Sequence, residues 1–386
     1  MSKSPWVLLT GEYPPQPGGV SDYTRLVARG LAEAGDEVHV WAPMPDTGRS
    51  LGGDPAVAVH RLPGGFRRRN LKTLDAFLDR QAAPCRLLVQ YVPHAFGWRG
   101  MNVPFCLWVA RRPEPVWVMF HEVAFPLSRC QPLTHNLFGL VTRLMSGLVA
   151  RKAERIFVSI PGWESMLPRS CKARRSVMWL PVPSNLPTAV SPEAVATIRK
   201  RFASSNEVII GHFGTYGHHV TALLGRALSF LLRKTSKRRA LLLGRGSERF
   251  AADLTAENPT LRGRIDATGP IEPERIAVHL AACDCLLQPY ADGVSSRRTS
   301  MMAGLALGLP IVTNVGPLTD PVWNETNAVV LARFGSSENL AQGAETLLDD
   351  PKRRAALRQR AVEFYESHFS LSRTIEVLRD GITEAT

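Results

Sequence analysis

Residues 281–314 read AACDCLLQPYADGVSSRRTSMMAGLALGLPIVTN, a stretch of short apolar runs around one polar loop. The run Cys285–Gln288 predicts a buried strand, and the small apolar residues of Thr299–Leu307 predict a helix, which a glycine and a proline end. Ile311–Thr313 predicts the next strand. The stretch is therefore expected to form a strand–loop–helix–strand unit with its polar side chains in a single loop.

This polar loop has the composition of an anion-binding site. It holds Asp292, Arg297 and Arg298, and it precedes the N-terminus of a predicted helix, where unpaired backbone N–H groups favour anions. A guanidinium offers paired hydrogen bonds that match phosphate oxygens. The residues alone leave two interpretations open: a phosphate pocket with a carboxylate at its rim, or a solvated turn before a capped helix.

The same segment resembles the nucleotide-sugar signature of retaining family-four glycosyltransferases, which have the GT-B architecture. In that family two carboxylates flank a Gly-rich loop, and Asp292 and Ser300 stand at those two positions. The resemblance implies that Asp292 is catalytic and orients the donor sugar, while Gly293, Arg297, Arg298 and Ser300 bind the donor. Ser300 departs from the family, because the carboxylate expected there holds the ribose hydroxyls.

The N-terminal residues predict the opening of a doubly wound sheet. Trp6–Thr10 and Glu37–Trp41 are typical of strands, and Asp22–Ala34 is typical of a helix between them. The loop before this helix contains Gly18 and Gly19, which permit close approach of the backbone to a ligand. It resembles the Gly-Gly loop of family-four enzymes, which implies contact with the donor phosphates or the acceptor. A dinucleotide site fits less well, because this loop has no Gly-x-Gly-x-x-Gly motif.

Two polar pairs follow buried strands in the first half of the chain. Gln90 and Tyr91 lie at the end of one predicted strand, and His121 and Glu122 directly follow the next. Ligands of open parallel sheets collect beyond the carboxyl ends of the strands, so both pairs are site candidates. A hydrogen-bonded loop histidine is the plain alternative for His121. The resemblance implies that His121 is catalytic and contacts the donor sugar, and that the other three lie on the acceptor side.

A second sheet is predicted to begin at Val208–Phe213, and a glycine-rich turn containing Gly214 and Thr215 follows it. By position this turn is the donor-diphosphate loop of the family, which usually carries an arginine and a lysine. His218 and His219 stand nearby instead, and neutral histidines bind phosphate weakly. The backbone N–H groups of the turn remain available to an anion.

Other residues are candidates to complete the donor site. We expect Arg297 or Arg298 to supply the positive charge that the turn lacks, with Arg245 in the following strand-end loop as a third candidate. Gly269 and Ile271 lie in a segment that resembles the one whose backbone reads the nucleotide base. The donor site is therefore predicted to draw on four separate loops of the second half.

The length of 386 residues predicts two domains, because a single core rarely keeps growing beyond about 250–300 residues. We predict an α/β, GT-B chain of two doubly wound, Rossmann-like domains that face each other across a cleft. Residues 1–185 form the acceptor-side domain and residues 186–368 the nucleotide-sugar domain. Residues 369–386 are a candidate for a helix that crosses back to the first domain.

Positive charge is concentrated in the first half. Residues 1–185 carry 23 Lys and Arg against 13 Asp and Glu, and the whole chain has a formal net charge of +13. Basic clusters occur at residues 67–69, 111–112, 151–155 and 172–175. Such clusters favour a phosphate-rich partner such as an anionic membrane surface or a lipid-linked substrate. An arginine-rich background is the alternative, and no motif for nucleic acid is present.

The helix predicted over Leu133–Lys152 bears on the same question. With Lys and Arg on its polar face it could lie on a membrane surface, although packing between the layers of a domain is the commoner role for such a helix. No apolar run reaches the roughly 18–20 residues that a membrane span needs, and no signal peptide is recognised. Six scattered cysteines indicate reduced thiols, a cytosolic location and no metal site.

These features lead to one function and two alternatives. We expect a metal-independent, cofactor-free retaining hexosyltransferase that moves a sugar from a nucleotide-diphosphate sugar to a glycan, lipid-linked or small-molecule acceptor. The positive charge of residues 1–185 would suit an enzyme of cell-envelope polysaccharide synthesis at the inner face of the plasma membrane. The first alternative is an inactive relative, either a sugar-nucleotide-binding or a scaffolding subunit, because Ser300 replaces a carboxylate. The second is another GT-B activity, such as that of a phosphorylase or an epimerase.

Overall fold

The computed structural model describes residues 4–45, 55–81, 83–172 and 176–380. The chain divides into two compact units, Met1–Pro181 with Thr374–Thr386, and Val182–Arg373. The first unit thus ends slightly before the boundary predicted at residue 185, and the C-terminal residues that group with it begin at Thr374 rather than at residue 369. The predicted basic residues Arg174 and Arg175 lie outside the described residues.

The described residues of the first unit form a parallel sheet of seven strands in the order β3-β2-β1-β4-β5-β6-β7. The strands are β1 (Trp6–Thr10), β2 (Val38–Pro43), β3 (Ala58–Leu62), β4 (Arg86–Tyr91), β5 (Val116–Phe120), β6 (Arg155–Val158) and β7 (Val177–Trp179). Every residue of β1 and β5 is buried, as expected of central parallel strands with both faces covered. This burial explains why both strands appear in the sequence as continuous apolar runs.

Helices connect these strands on both sides of the sheet. They are α1 (Gly19–Glu33), α2 (Arg68–Leu78), α3 (Val103–Ala110), α4 (Leu133–Lys152) and α5 (Arg169–Lys172), with 3-10 turns at Trp98–Gly100 and Pro161–Met166. The bounds predicted for α4 are confirmed. Helix α1 starts three residues earlier than predicted, because the Glu12 carboxylate accepts hydrogen bonds from the N–H groups of Val20 and Ser21 and caps the first turn.

The second unit is built around a parallel sheet of six described strands in the order β10-β9-β8-β11-β12-β13. The strands are β8 (Val208–Phe213), β9 (Arg238–Leu243), β10 (Ile265–Ala267), β11 (Cys285–Gln288), β12 (Ile311–Asn314) and β13 (Val330–Ala332). The helices are α6 (Pro192–Phe202), α7 (His218–Lys234), α8 (Ser247–Glu257), α9 (Pro273–Ala281), α10 (Thr299–Ala306), α11 (Pro321–Glu325), α12 (Ser337–Leu348) and α13 (Pro351–His368), with a 3-10 turn at Pro259–Leu261.

The last helix, α14 (Leu371–Asp380), carries the described C-terminal residues of the first unit. Arg379 forms an ion pair with Asp36, with 3.1 Å between Nε and Oδ2, and the Asp36 side chain is almost completely buried. A buried carboxylate is stable only with a partner, so this pair gives the helix a fixed place beside the end of α1.

The predicted strand–loop–helix–strand unit of residues 281–314 is confirmed as β11, α10 and β12. Gly304 explains how α10 reaches the sheet. A β-carbon at this position would lie 2.7 Å from Ile311 Cδ1 and 2.8 Å from Leu286 Cδ1, so the glycine lets the helix pack closely on both strands without displacing these side chains. The polar loop between β11 and α10 is thereby held over the carboxyl ends of the strands.

Each sheet has one point at which the strand order reverses. In the first unit β1 lies between β2 and β4, and in the second unit β8 lies between β9 and β11. The chain connections that follow the two strands at a reversal point run to opposite sides. A crevice opens between them beyond the carboxyl ends of the strands, and this crevice is the usual ligand site of such a sheet. Ligand contacts are therefore expected from the residues that follow β1, β4, β8 and β11.

Candidate functional site

A pocket of about 490 Å³ lies at the reversal point of the second sheet. Its walls come from the end of β8 and the start of α7, the turns after β9 and β10, the end of β11 and the first turn of α10. Seven residues that were predicted to bind the donor line it: Gly214, Thr215, Arg245, Ile271, Arg297, Arg298 and Ser300. Four loops separated in sequence thus form one site, which we name the switch-point pocket.

A larger groove, of about 1740 Å³, lies on the helical face of the same unit between α7, α8 and α12. It contains none of the residues that were predicted to bind the donor, and its charged side chains have both signs. We assign the ligand site to the smaller pocket, because that one lies beyond the carboxyl ends of the strands and gathers three arginines beside a helix N-terminus.

Asp292 does not line the switch-point pocket, which differs from its predicted contact with the donor sugar. Its carboxylate instead forms ion pairs with the two neighbouring arginines: Oδ2 lies 3.2 Å from Arg297 Nη2, and Oδ1 contacts Arg298 Nη2. The Arg298 guanidinium also lies over the Tyr290 ring, 5.0 Å from its centroid. The three charged residues together carry one net positive charge, and the carboxylate fixes the direction of both guanidinium groups.

Two other predicted donor-binding positions have structural roles outside the pocket. Gly293 has a φ of +89°, and a β-carbon there would lie 2.3 Å from Gly316 N, so this glycine permits contact between two backbone segments. Gly269 has a φ of +64° and donates its N–H to Ser247 Oγ at 3.0 Å. Both glycines are therefore required by the fold of the loops, whatever the ligand.

The conformation of the arginine loop depends on Asp320, which the sequence did not single out. Its buried carboxylate accepts hydrogen bonds from the backbone N–H of Ser296 and from Trp323 Nε1, the latter at 3.2 Å. Burial raises the pKa of Asp320, and these donors oppose that rise. Asp320, which lies after β12 and 24 residues from Ser296, thus fixes the conformation of the arginine loop.

Ser300 stands where the family-four resemblance implies a carboxylate, and Tyr290 is its partner. Their hydroxyl oxygens are 2.9 Å apart, and both residues line the pocket. Burial raises the pKa of Tyr290 to about 12, so its hydroxyl keeps its proton at neutral pH. The position that the family uses for a negative charge is therefore occupied here by two neutral hydroxyl groups.

In the first unit the structure brings His121 and Gln90 together. His121 Nε2 lies 2.9 Å from Gln90 Oε1, both side chains are buried, and the Tyr23 ring packs edge-on against the imidazole at 4.7 Å. Burial lowers the pKa of His121 to about 3, so the ring is neutral at pH 7. Because Gln90 Oε1 accepts the proton of Nε2, the lone pair lies on Nδ1.

Tyr91 does not join this pair, and its predicted place on the acceptor side is wrong. Successive side chains of a strand point to opposite faces, so Tyr91 faces away from Gln90. It is fully buried against Phe120 and Phe96, with ring centroids 5.0 Å and 6.1 Å away. Glu122 is half-buried next to His121 and remains a candidate for the acceptor side.

Gly18 and Gly19 lie at the N-terminus of α1. A contact within the chain explains why position 18 is a glycine. A β-carbon on Gly18 would lie 2.3 Å from Glu12 Oε1, the atom that accepts the N–H groups of Val20 and Ser21. A carboxylate of the chain itself thus occupies the anion position that was predicted for the donor or the acceptor. A donor contact at either glycine stays a prediction.

This difference between the two glycines can be measured. Gly18→Ala should displace the Glu12 carboxylate and lower the free energy of unfolding of the first unit by about 1 kcal/mol, the usual value of a helix cap. Gly19→Ala is the matched control, because no atom lies within 4 Å of a β-carbon there. Thermal unfolding of the two variants should differ accordingly, and equal midpoints would contradict this account of Gly18.

Among the described residues there is no cluster of three or more His, Cys, Asp or Glu side chains placed to hold a metal ion. Within the same part of the chain, none of the helices combines the length and the apolar character that crossing a bilayer requires. All six cysteines are unpaired, and only Cys130 is exposed.

Residues 197–364 match the family model described as "Glycosyl transferases group 1". The second unit carries a group 1 glycosyltransferase domain. The match spans most of that unit, from α6 to α13, and includes every residue of the switch-point pocket. The search of curated proteins gave no significant match.

Solved structures resemble the chain over its whole length. Sucrose-phosphate synthase from Thermosynechococcus elongatus has a TM-score of 0.73 at 17% identity, with all of both chains covered. HepE (Alr3699) from Anabaena, solved with UDP and glucose, has a TM-score of 0.69 at 14% identity, covering 99% of this chain and all of HepE. WaaG, a glycosyltransferase involved in lipopolysaccharide biosynthesis, has a TM-score of 0.65 at 16% identity, covering 98% and 99%.

These likenesses establish the fold. The two parallel-sheet α/β domains of the chain, the second of which carries the group 1 domain, have the GT-B fold, and the predicted fold class is confirmed.

Proposed function

We propose that the chain is a glycosyltransferase that uses a nucleotide-diphosphate sugar as its donor and binds the diphosphate in the switch-point pocket. The observation that carries this proposal is the set of three arginines and the first turn of α10 around one pocket of the group 1 domain. The pocket lies where sheets of this type hold nucleotides. The HepE structure, which was solved in complex with UDP and glucose, agrees with such a donor.

The chemistry follows from the charges. When the bond between sugar and diphosphate breaks, negative charge develops on the leaving diphosphate. Arg297 and Arg298 are held in place by Asp292, so they need no rearrangement when that charge appears. Preorganised donors of this kind contribute about 3–4 kcal/mol each to lowering a barrier. Arg245, at the turn after β9, supplies a further positive charge to the same pocket.

We assign His121 to the transferred sugar. Its neutral imidazole is fixed by Gln90, which leaves Nδ1 as an acceptor for a sugar hydroxyl. Retention of configuration and independence of metal ions complete the proposal, and both rest on the family-four resemblance. Asp292 is assigned to the donor sugar on the same ground, although its carboxylate faces the two arginines.

A donor screen tests the function. The purified chain should hydrolyse or transfer at least one sugar from a panel of UDP-, GDP- and ADP-sugars in the presence of EDTA. The anomeric configuration of the product, read by NMR, should match that of the donor. Calorimetric binding of a donor without any turnover across glycan and lipid-linked acceptors would favour the inactive relative. Failure to bind any donor would contradict the proposal.

We further propose that the first unit associates with an anionic membrane surface through α4. Four leucines of this helix are exposed, Leu133 by 87%, Leu137 and Leu140 by 57% and Leu144 by 53%. Their spacing places them on one helical face, opposite the buried Met145 and Val149. An exposed apolar stripe of this kind is typical of an interaction surface.

The charges around this stripe support a membrane rather than a protein partner. Residues 123–152 contain no Asp or Glu, whereas they contain Arg129, Arg143, Arg151 and Lys152. Leu127, in the loop packed on Gly139 of α4, is also exposed by 43%. Apolar side chains beside basic ones suit the boundary between acyl chains and anionic head groups. A lipid-linked acceptor would be found at such a surface.

Vesicle binding tests this second proposal. The double variant Leu137→Asn/Leu140→Asn should bind anionic vesicles roughly tenfold more weakly, because the apolar area that enters the membrane is lost. Phe230→Asn is the matched control, since Phe230 is a 53% exposed apolar residue of the second unit. Binding should also weaken with added salt. Equal binding of all variants, or equal binding to neutral vesicles, would remove the proposal.

A further inference from the structure

The switch-point pocket contains a buried histidine to which the proposed function assigns no role. His212, in β8, is 2% exposed and lines the pocket. Its Nδ1 lies 2.8 Å from the carbonyl oxygen of Leu287, which can only accept, so Nδ1 carries the proton. Burial lowers the pKa of His212 to about 4, and the ring is neutral at pH 7. Nε2 therefore has a lone pair, and it has no hydrogen-bond partner among the described residues.

A second acceptor of the same kind stands on the neighbouring strand. Gln288, in β11, is completely buried and also lines the pocket. Its Nε2 donates to the carbonyl oxygen of Phe213 at 3.0 Å, which fixes the orientation of the amide. The remaining oxygen, Oε1, is buried and finds no partner in the described part of the chain. Leaving two such acceptors unpaired costs about 1–3 kcal/mol each, so a ligand donor is the expected partner.

Space for that ligand lies between His212 and α10. Gly214 has no side chain, and the position its β-carbon would take is 3.8 Å from His212 Nε2 and 3.9 Å from Ser300 Oγ. Ser300 is in turn hydrogen-bonded to Tyr290. The glycine thus leaves a gap beside one acceptor-only atom, His212 Nε2, and beside the Ser300 hydroxyl, which both donates and accepts.

We infer that His212, Gln288 and the Ser300–Tyr290 pair form a subsite for vicinal hydroxyl groups of the nucleotide-sugar donor. Uncharged acceptors reject phosphate oxygens, which cannot donate, and they match hydroxyl groups, which both donate and accept. The inference rests on the proposed function and names the part of the donor that this end of the pocket holds. It also accounts for the serine at position 300. The family resemblance implies a carboxylate there that binds hydroxyl groups, and in this chain His212 on β8 and Gln288 on β11 would accept those hydroxyl protons instead.

The hydroxyls can belong to the ribose or to the transferred sugar, and calorimetry on the intact chain separates the two sources. UDP, GDP and ADP are titrated first to find the tightest ligand, followed by its 2′-deoxy form and by its sugar conjugates. His212→Asn is the test variant, because its shorter amide can still donate to Leu287 while Nε2 is lost. His279→Asn is the matched control: His279 is a buried histidine whose Nδ1 bonds the Arg275 carbonyl outside the pocket.

A ribose subsite predicts that the wild type binds the ribonucleotide more tightly than its deoxy form. It also predicts that His212→Asn lowers the affinity for the ribonucleotide and its sugar conjugates about three- to tenfold, but not for the deoxy form. A sugar subsite predicts that the variant loses the same factor only for the conjugate. His279→Asn should change neither. Uniform loss for every ligand, or no loss at all, would overturn the subsite and leave the proposed function standing. A wild type that binds no nucleoside diphosphate would overturn both.

Discussion

Replacement of both pocket arginines, Arg297→Gln/Arg298→Gln, is expected to lower kcat by more than about 10²–10³, which is the usual effect of removing a single preorganised donor from a developing negative charge. The two guanidiniums line the pocket and are aligned by Asp292, so they stabilise the leaving diphosphate more than the intact donor. KM should rise less than kcat falls. Steady-state kinetics with the best donor of the screen measures both.

Two companion variants make this result specific. Arg360→Gln removes an exposed arginine of α13, distant in sequence from the pocket loops, and should leave kcat unchanged. Asp292→Asn keeps both guanidiniums but frees them from their carboxylate. If Asp292 contacts the donor sugar, as the family resemblance implies, kcat falls with this variant too. If Asp292 only holds the arginines, kcat falls by a smaller factor, because both guanidiniums remain but lose their preorganised direction, and diphosphate binding is kept or strengthened. A double variant with wild-type kcat would contradict the role of the arginines.

Loss of His121 should have the second largest effect. His121→Ala is expected to lower kcat/KM about ten- to a hundredfold, because a hydrogen bond to the charged transition state is lost. The low pKa of His121 predicts that its protonation does not shape the activity profile between pH 5 and 8. It also predicts acid sensitivity of the fold: the unfolded histidine takes up a proton near pH 6.5, so stability present above that pH is lost as the pH falls towards 3.

The neighbours of His121 supply the controls. Gln90→Leu removes the acceptor of Nε2 and should lower kcat/KM by a smaller factor, while the pKa of the buried His121 stays low, because an apolar neighbour does not favour the charged ring, and no acid limb enters the activity profile. Tyr91→Phe should keep full activity, because the Tyr91 hydroxyl is buried in the core with no partner among the described residues. A Tyr91→Phe variant as damaged as His121→Ala would show that Tyr91 does face the acceptor.

The sequence correctly predicted those helices and strands that are encoded by residues close together in the chain. The strand, helix and turn of residues 281–314 and the whole of α4 have apolar spacing and end signals within a few residues, and the structure has them where expected. Seven residues predicted to bind the donor also line the pocket, and most of them were predicted from the family-four resemblance rather than from the residue pattern alone. Their convergence follows from topology and requires no knowledge of side-chain contacts.

The features that the sequence did not predict mostly depend on contacts between residues that are far apart in the chain. His212 lies in a strand that otherwise consists of apolar residues and glycine, so it resembled a core residue, and its partner Leu287 is 75 residues away. Glu12 folds back on α1 across a proline-rich loop whose path the sequence does not specify. The error at Tyr91 has another cause: the resemblance treated Gln90 and Tyr91 as a pair, whereas the pleat of β4 turns them to opposite faces.

The most direct test of the account is a comparison of nucleoside diphosphate and nucleoside monophosphate binding by calorimetry. The wild type should bind the diphosphate of its preferred donor at least tenfold more tightly than the monophosphate, since charge-assisted hydrogen bonds to the second phosphate contribute about 1.5–3 kcal/mol. In Arg297→Gln/Arg298→Gln this preference should largely disappear. A preference that is absent from the wild type, or unchanged in the variant, would contradict a diphosphate site at the switch-point pocket.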